Sequence, residues 1–270
     1  MTEPLLSHTQ SDAFATLTLL AVAAPAQAAI LFGDSFDYTA GSAITSANGG
    51  TGFNGAYTGV GSITGPGQTY AGITSAGNTF STNGSDGGAF RLLTTPIGTD
   101  SGVVFVRLLA SNTSALAAQY AGLSFFNGGS EELFLGKPFN SASYGFDVSG
   151  QTGGTVLSSS PISANTTLLV YRLSFGTLND KIDLFVNPGI TLPGAPDATF
   201  TTADNTAFPA TFDRIRLQSG NNAPTFDYDE IRAATTASEV LPVPEPSSTG
   251  LLVGGVALLG SLRRRKARIA

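Results

Sequence analysis

Between Thr167 and Phe175 the large apolar residues recur at every second position, so Leu169, Tyr171, Leu173 and Phe175 share one face of an extended chain. Residues 181–187 repeat the pattern with Ile182, Leu184 and Val186. A period of two belongs to strands, and Gly176-Thr177-Leu178-Asn179-Asp180 between the two runs supplies a turn, so the pair reads as a hairpin. Asn187-Pro188-Gly189 ends the second strand, because proline has no N–H to give to a ladder. Away from its two ends the chain has no extended helical period. Its composition agrees, with 33 Gly, 18 Phe, many Thr and Ser, and only 12 % charged residues.

The same reading places further strands at 102–109, 121–126, 132–136, 144–148, 212–218 and 225–232. Residues 115–120 suit one turn of helix. Residues 156–165, with three successive serines and Pro161, read as loop, and so do residues 188–209. Many short strands separated by Gly, Pro, Asn and Ser turns favour an all-β, antiparallel two-sheet sandwich over βαβ units. There is no cysteine, so a core alone must hold the fold, and about 215 residues between the termini are ample for one large domain.

The ends have a different character. Residues 13–24 form an apolar stretch of h-region length, and Ala26-Gln27-Ala28 is an A-x-A cleavage site, so residues 1–28 read as a signal peptide with a signal helix. The segment before the h-region carries Glu3, His8 and Asp12 but no Lys or Arg, which departs from the usual basic start. At the other end, residues 236–246 read as a linker ending in Pro244-Glu245-Pro246. Residues 247–262 follow as a short apolar transmembrane helix, and residues 263–270 as a basic cytoplasmic tail with Arg263, Arg264, Arg265, Lys266 and Arg268. About 16 residues of helix span roughly 24 Å, less than a comfortable bilayer crossing, so transient insertion is expected.

Pro-Glu-Pro, a short Gly/Leu/Val helix and a terminal Arg cluster, in that order, resemble the PEP-CTERM sorting signal of bacterial envelope and exported proteins. The resemblance implies an exosortase-type membrane protease-transpeptidase as partner, which would process the tail near Pro244, Glu245 and Pro246. Removing the leader and the tail takes away two acids and five bases, and the net charge moves from −6 to about −9. A surface of that sign lacks the clustered cations that nucleic acid requires.

The body, expected to span residues 29–235, carries a second resemblance. Phe36-Asp37-Tyr38-x-x-Gly41, followed by Gly49-Gly50-x-Gly52-Phe53-x-x-x-Tyr57, is similar to the opening of concanavalin A/laminin-G-like jelly-roll domains, with Phe53 and Tyr57 where that family has tryptophans. Near the end, Phe212-Asp213-Arg214-Ile215-Arg216 and Tyr228-Asp229-Glu230-Ile231-Arg232 repeat an aromatic-Asp-x-Ile-Arg pattern. Two neighbouring strands of one sheet would explain the repeat, with the charges on a solvated face; an ion-pair or ligand patch is the functional alternative.

Chemistry is constrained by subtraction. His8, the only histidine, lies in the expected leader, so the remaining chain has neither His nor Cys for a triad, a thiolate or an N/S-ligated zinc site. The E-x-D-x-x-E pattern by which jelly-roll glucanases line up two carboxylates on one strand face does not occur. Glu131 and Glu132, being adjacent, point to opposite faces of a strand. No catalysis and no cofactor are therefore expected. Laminin-G-like folds can hold calcium, for which Asp34 and Asp37, Asp180 and Asp183, and Asp227 with Asp229 are the candidates; none has loop spacing that fixes a site, and turn and N–H-accepting roles are the ordinary alternative. Two functional expectations stand: a non-catalytic surface or matrix protein of a polysaccharide-rich layer, or a carbohydrate-binding module recognising an extracellular glycan.

Overall fold

The computed structural model describes residues 29–243 apart from 74, 76, 83–86, 99–101, 113–117, 203–210 and 221–224. Both expected terminal helices, the Pro244, Glu245 and Pro246 motif, the basic tail and the first half of the expected helical turn at 115–120 lie outside these residues. The regular secondary structure of the described chain is almost entirely strand. In order these are β1 (Ile30–Asp34), β2 (Phe53–Gly59), β3 (Ser62–Thr64), β4 (Thr79–Ser81), β5 (Gly87–Ile97), β6 (Gly102–Asn112), β7 (Tyr120–Asn127) and β8 (Ser130–Lys137). They are followed by β9 (Ser143–Val148), β10 (Val156–Pro161), β11 (Thr167–Phe175), β12 (Lys181–Val186), β13 (Ala198–Thr201), β14 (Phe212–Gly220) and β15 (Phe226–Ala234).

The strands form two antiparallel sheets. One has eight strands in the order β13-β12-β11-β6-β15-β4-β3, with β1 also paired to β15; the other has seven, in the order β10-β9-β8-β7-β14-β5-β2. This is a jelly-roll-type sandwich. The hairpin expected from the alternation is present, β11 pairing β12 from Leu169↔Val186 to Ser174↔Lys181.

Between the sheets lies a core rich in aromatic rings, including Phe32, Phe36, Phe80, Phe125, Phe146, Tyr171, Phe212 and Tyr228. Two tyrosines cross it. The Tyr171 hydroxyl of the larger sheet donates to the Gly145 carbonyl of the smaller (2.9 Å), and Tyr228 does the same to Gln218 (3.0 Å). Burial raises both phenols well above their ordinary range. A second apolar layer covers the outer side of the larger sheet, where Leu109, Leu168, Val170 and Phe185 meet Ile73, Val240 and Leu241. The β11 strand is therefore buried on both faces over Thr167–Tyr171, although its alternation marks only the inner one.

Three expectations change. Residues 156–161 form edge strand β10 rather than loop: Pro161 sits at its end, where the missing N–H faces no ladder partner, and the Ser158 hydroxyl donates to the Tyr144 carbonyl at 2.9 Å. Within 188–209, Ala198–Thr201 forms the opposite edge on β12. The two aromatic-Asp-x-Ile-Arg strands are not neighbours, for β14 and β15 lie near the middle of opposite sheets. Their repetition has another cause. Phe212 and Ile215, and likewise Tyr228 and Ile231, all face the core although three residues apart, which a period of two forbids. In each strand the pairing register shifts between those residues, and in β15 Glu230 takes φ +49° there.

Candidate functional site

The charged residues singled out above fall into separate, mostly closed groups. The opening motif builds the first of them. Asp34, buried, accepts from the Phe36 N–H (2.8 Å), the Tyr38 hydroxyl (2.6 Å) and Arg91 Nη1 (2.9 Å). Arg91 also donates to the Gly55 carbonyl (3.0 Å) and Asn48 Oδ1 (3.1 Å), and its guanidinium lies 4.2 Å from the Phe53 ring centre and 4.6 Å from that of Tyr57. Phe53 and Tyr57 thus meet the guanidinium with their rings. Gly52 needs to be glycine, since it has φ +76° and a Cβ there would lie 2.0 Å from the Leu31 carbonyl oxygen. Burial first, and then the bond to Asp34, pushes the Tyr38 phenol up to about 12.

The closing motif is divided between the sheets. Asp229 and Glu230 are buried on the larger sheet, contrary to a solvated face. Glu230 pairs with Arg107 at 2.6 Å, while Asp229 accepts the N–H groups of Gln68 and Glu230, each at 2.7 Å. Burial pushes the Asp229 carboxyl up to about 6. Arg214 and Arg216 belong to the smaller sheet. On the hairpin, Asp183 is fully buried; burial raises its carboxyl, but bonds from Thr199 (2.7 Å), Arg172 (2.5 Å) and Lys181 (3.0 Å) outweigh this and hold it below the usual range. Asp180 Oδ1 accepts the Gly176 N–H at 2.9 Å, closing the turn. Among the described residues no three Asp, Glu, His or Cys side chains converge as they would on a metal ion. Asp34, Asp180, Asp183 and Asp229 accept from backbone N–H groups, hydroxyls or cationic side chains.

An open site lies on the outer face of the smaller sheet, and no contiguous motif announces it. There Tyr120, Glu131, Phe134, Pro138, Phe139, Asp147, Arg216 and Gln218 line a cleft of about 240 Å³. Alternation points Tyr120 of β7, Phe134 of β8, Asp147 of β9, and Arg216 and Gln218 of β14 away from the core. Tyr120 and Phe134 meet edge to face with ring centres 6.3 Å apart, and Phe139 is 51 % exposed in the loop beside them. A register shift in β8 brings Glu131 opposite Phe126, so that its carboxylate takes Arg216 Nη2 (2.5 Å) and Gln218 Nε2 (3.0 Å). Gln218 also donates to Ser124 Oγ at 2.5 Å, and the Arg216 guanidinium lies over Phe90 and Phe126. Glu132 contributes its carbonyl to the Ser149 N–H rather than a carboxylate to the cleft. The result is a half-open trough with aromatic flanks and a fixed polar floor. Such a surface can stack on an apolar ring face while exchanging hydrogen bonds with hydroxyls.

The described residues end at Val243, whose side chain is exposed. Residues 242–266 match the family model of the PEP-CTERM protein-sorting motif. The tail is a PEP-CTERM sorting motif. A protein with a PEP-CTERM tail is an exported one, handled at the membrane of the cell envelope. Among the described residues no helix is long and apolar enough to cross a membrane, and residues 247–262 lie outside them. No curated protein matches the chain in sequence. Solved structures similar to the domain include the globular domain of T. cruzi calreticulin, at 10 % identity over 78 % of this chain and 90 % of that one, with a TM-score of 0.48. An endo-1,3-beta-glucanase from Streptomyces sioyaensis is 13 % identical over 79 % and 98 %, with a TM-score of 0.47. A Bacillus subtilis protein with a galectin-like fold is 12 % identical over 66 % and 89 %, with a TM-score of 0.38.

Proposed function

We propose that this is a non-catalytic protein of the cell surface or extracellular matrix, delivered by its PEP-CTERM tail and released from its membrane segment by an exosortase-type transpeptidase. The observation that carries the reading is the sorting motif directly following the folded domain, in which several buried carboxylates are tied into ion pairs. Asp34 with Arg91, Glu230 with Arg107 and Asp183 with Arg172 are hydrogen-bonded parts of the fold rather than groups poised to exchange protons. The sole histidine falls in the expected leader, which removes imidazole chemistry from the delivered domain. Antibody labelling of intact cells in a host with and without the transpeptidase tests the reading. Surface display that depends on the enzyme supports it, and the same cytoplasmic or inner-membrane pool in both hosts contradicts it.

A second reading rests on the cleft: a carbohydrate-binding module, with Phe139 and the half-buried Tyr120 as the stacking surfaces over the buried Phe134, and Arg216, Glu131 and Asp147 as hydrogen-bonding groups. A glycan array probed with the mature domain, with and without calcium, separates the two. Saturable binding to one sugar class that falls when Phe139 is changed to Ala favours the module; silence across the array leaves the purely structural role.

A further inference from the structure

The cleft on the outer face of the smaller sheet holds two carboxylates in different states. Glu131 is occupied, since it accepts from Arg216 Nη2 and Gln218 Nε2. Both donors are held in turn, Gln218 by Ser124 Oγ and the guanidinium by the rings of Phe90 and Phe126. Asp147 is not occupied. It stands half-exposed on β9, opposite Phe134 of β8, and its carboxylate meets no hydrogen-bond donor and no cation among the described residues. Lys137, next to Pro138 in the cleft wall, does not serve it, for its buried ammonium donates to the Gln119 carbonyl. Of the three charged groups that line the cleft, Glu131 and Arg216 neutralise one another, and the charge of Asp147 is left over.

A ligand entering this cleft must answer that charge. A ring without a donor for Asp147 strips water from the carboxylate and gives nothing back. An anionic ring is worse placed, because it meets Asp147 directly while the one guanidinium on the floor is committed to Glu131. A protonated amine supplies what is missing, a cation with three N–H donors. The aromatic wall favours the same charge, since an ammonium group is drawn to the face of a ring such as that of Phe139 or Tyr120. The volume of about 240 Å³ falls below the range of about 300–1,000 Å³ for drug-sized ligands, so the cleft takes one ring of a longer chain. Without leader and tail the domain carries a charge of about −9, which draws polycations towards it.

We propose that the cleft selects an amino sugar whose amine is free and protonated, such as a glucosamine unit of a deacetylated polysaccharide. Asp147 pairs with the ammonium, and Phe139 and Tyr120 take the ring face. This rests on the carbohydrate-binding reading above. The preference for a cation lies in Asp147, because Glu131 is already neutralised.

Isothermal titration calorimetry of the full chain in detergent tests it at about pH 6, where such an amine is protonated. The probes are the tetramers of glucosamine, N-acetylglucosamine, β-1,4-linked glucose and galacturonic acid, with tetralysine beside them. The glucosamine tetramer is expected to bind at least about tenfold more tightly than each of the others, the step that one charge-assisted pair supplies. Asp147→Asn, at an outward position without bonds to break, should remove that preference, and a preference that survives it overturns the assignment to Asp147. The comparison of probes on the wild type stands whether or not the variant folds. Equal or tighter binding of the acetylated, neutral or acidic tetramer overturns selection for the amine and leaves the carbohydrate reading intact. Tetralysine binding as tightly as the amino sugar overturns the sugar and makes the cleft a site for cationic peptide. No binding of any sugar probe overturns both this inference and the carbohydrate reading.

Discussion

Arg91 and Asp34 meet in the core with almost no access to water, so each charge depends on the other. Replacing Arg91 with Met strands the carboxylate and removes the cation from between Phe53 and Tyr57. The expected cost is about 3–5 kcal/mol in urea unfolding, with part of it recovered by adding Asp34→Asn; a loss below about 1 kcal/mol would contradict the pairing. Asp229 gives a pH prediction. Its folded carboxyl titrates at about 6, above its ordinary 3.8, so between those values the folded state holds a proton that the unfolded state has released. Its contribution to stability is therefore complete below about pH 4 and is lost as pH rises through 6. Carbon-detected titration of the Asp229 side chain should show a midpoint near 6, and one below 4 would refute it. Sequence flagged Phe53 and Tyr57 by their motif and Asp34 as a calcium candidate. It was silent on Arg91, which is distant in the chain and reaches them only after β5 pairs with β2.

At the scale of strands, alternation was readable where one face is apolar and the other polar, as in β11 and β12, and the hairpin followed from it. It failed at the edges. β10 and β13 each pair on one side only, and little of either is buried, so neither needs an apolar pattern. It failed also in β5, where a glycine-rich start and the inward Arg91 break the period. The repeated aromatic-Asp-x-Ile-Arg element misled in a different way, because a spacing of three carries two core residues only if the strand is bulged. Those bulged strands are tied across the core by Tyr228. Tyr228→Phe should lower stability by about 1–2 kcal/mol, since the Gln218 carbonyl keeps its burial and loses its donor. Thermal unfolding of the pair measures this, and an unchanged midpoint would show that the hydroxyl contributes nothing.

For the molecule as a whole, destination was more legible than binding. The tail is contiguous, so its proline break, apolar run and cations could be read in order. The cleft is assembled from β7, β8, β9, β14 and a loop, one or two outward residues from each, and no local window contains it. The central claim is that an exported domain is delivered and then freed of its membrane segment. Intact-mass spectrometry of the protein recovered from its native host decides this most directly. The account predicts a chain that begins at Ala29, ends at or beside Pro244-Glu245-Pro246 and lacks residues 247–270. A full-length C-terminus retained in the membrane fraction would contradict it.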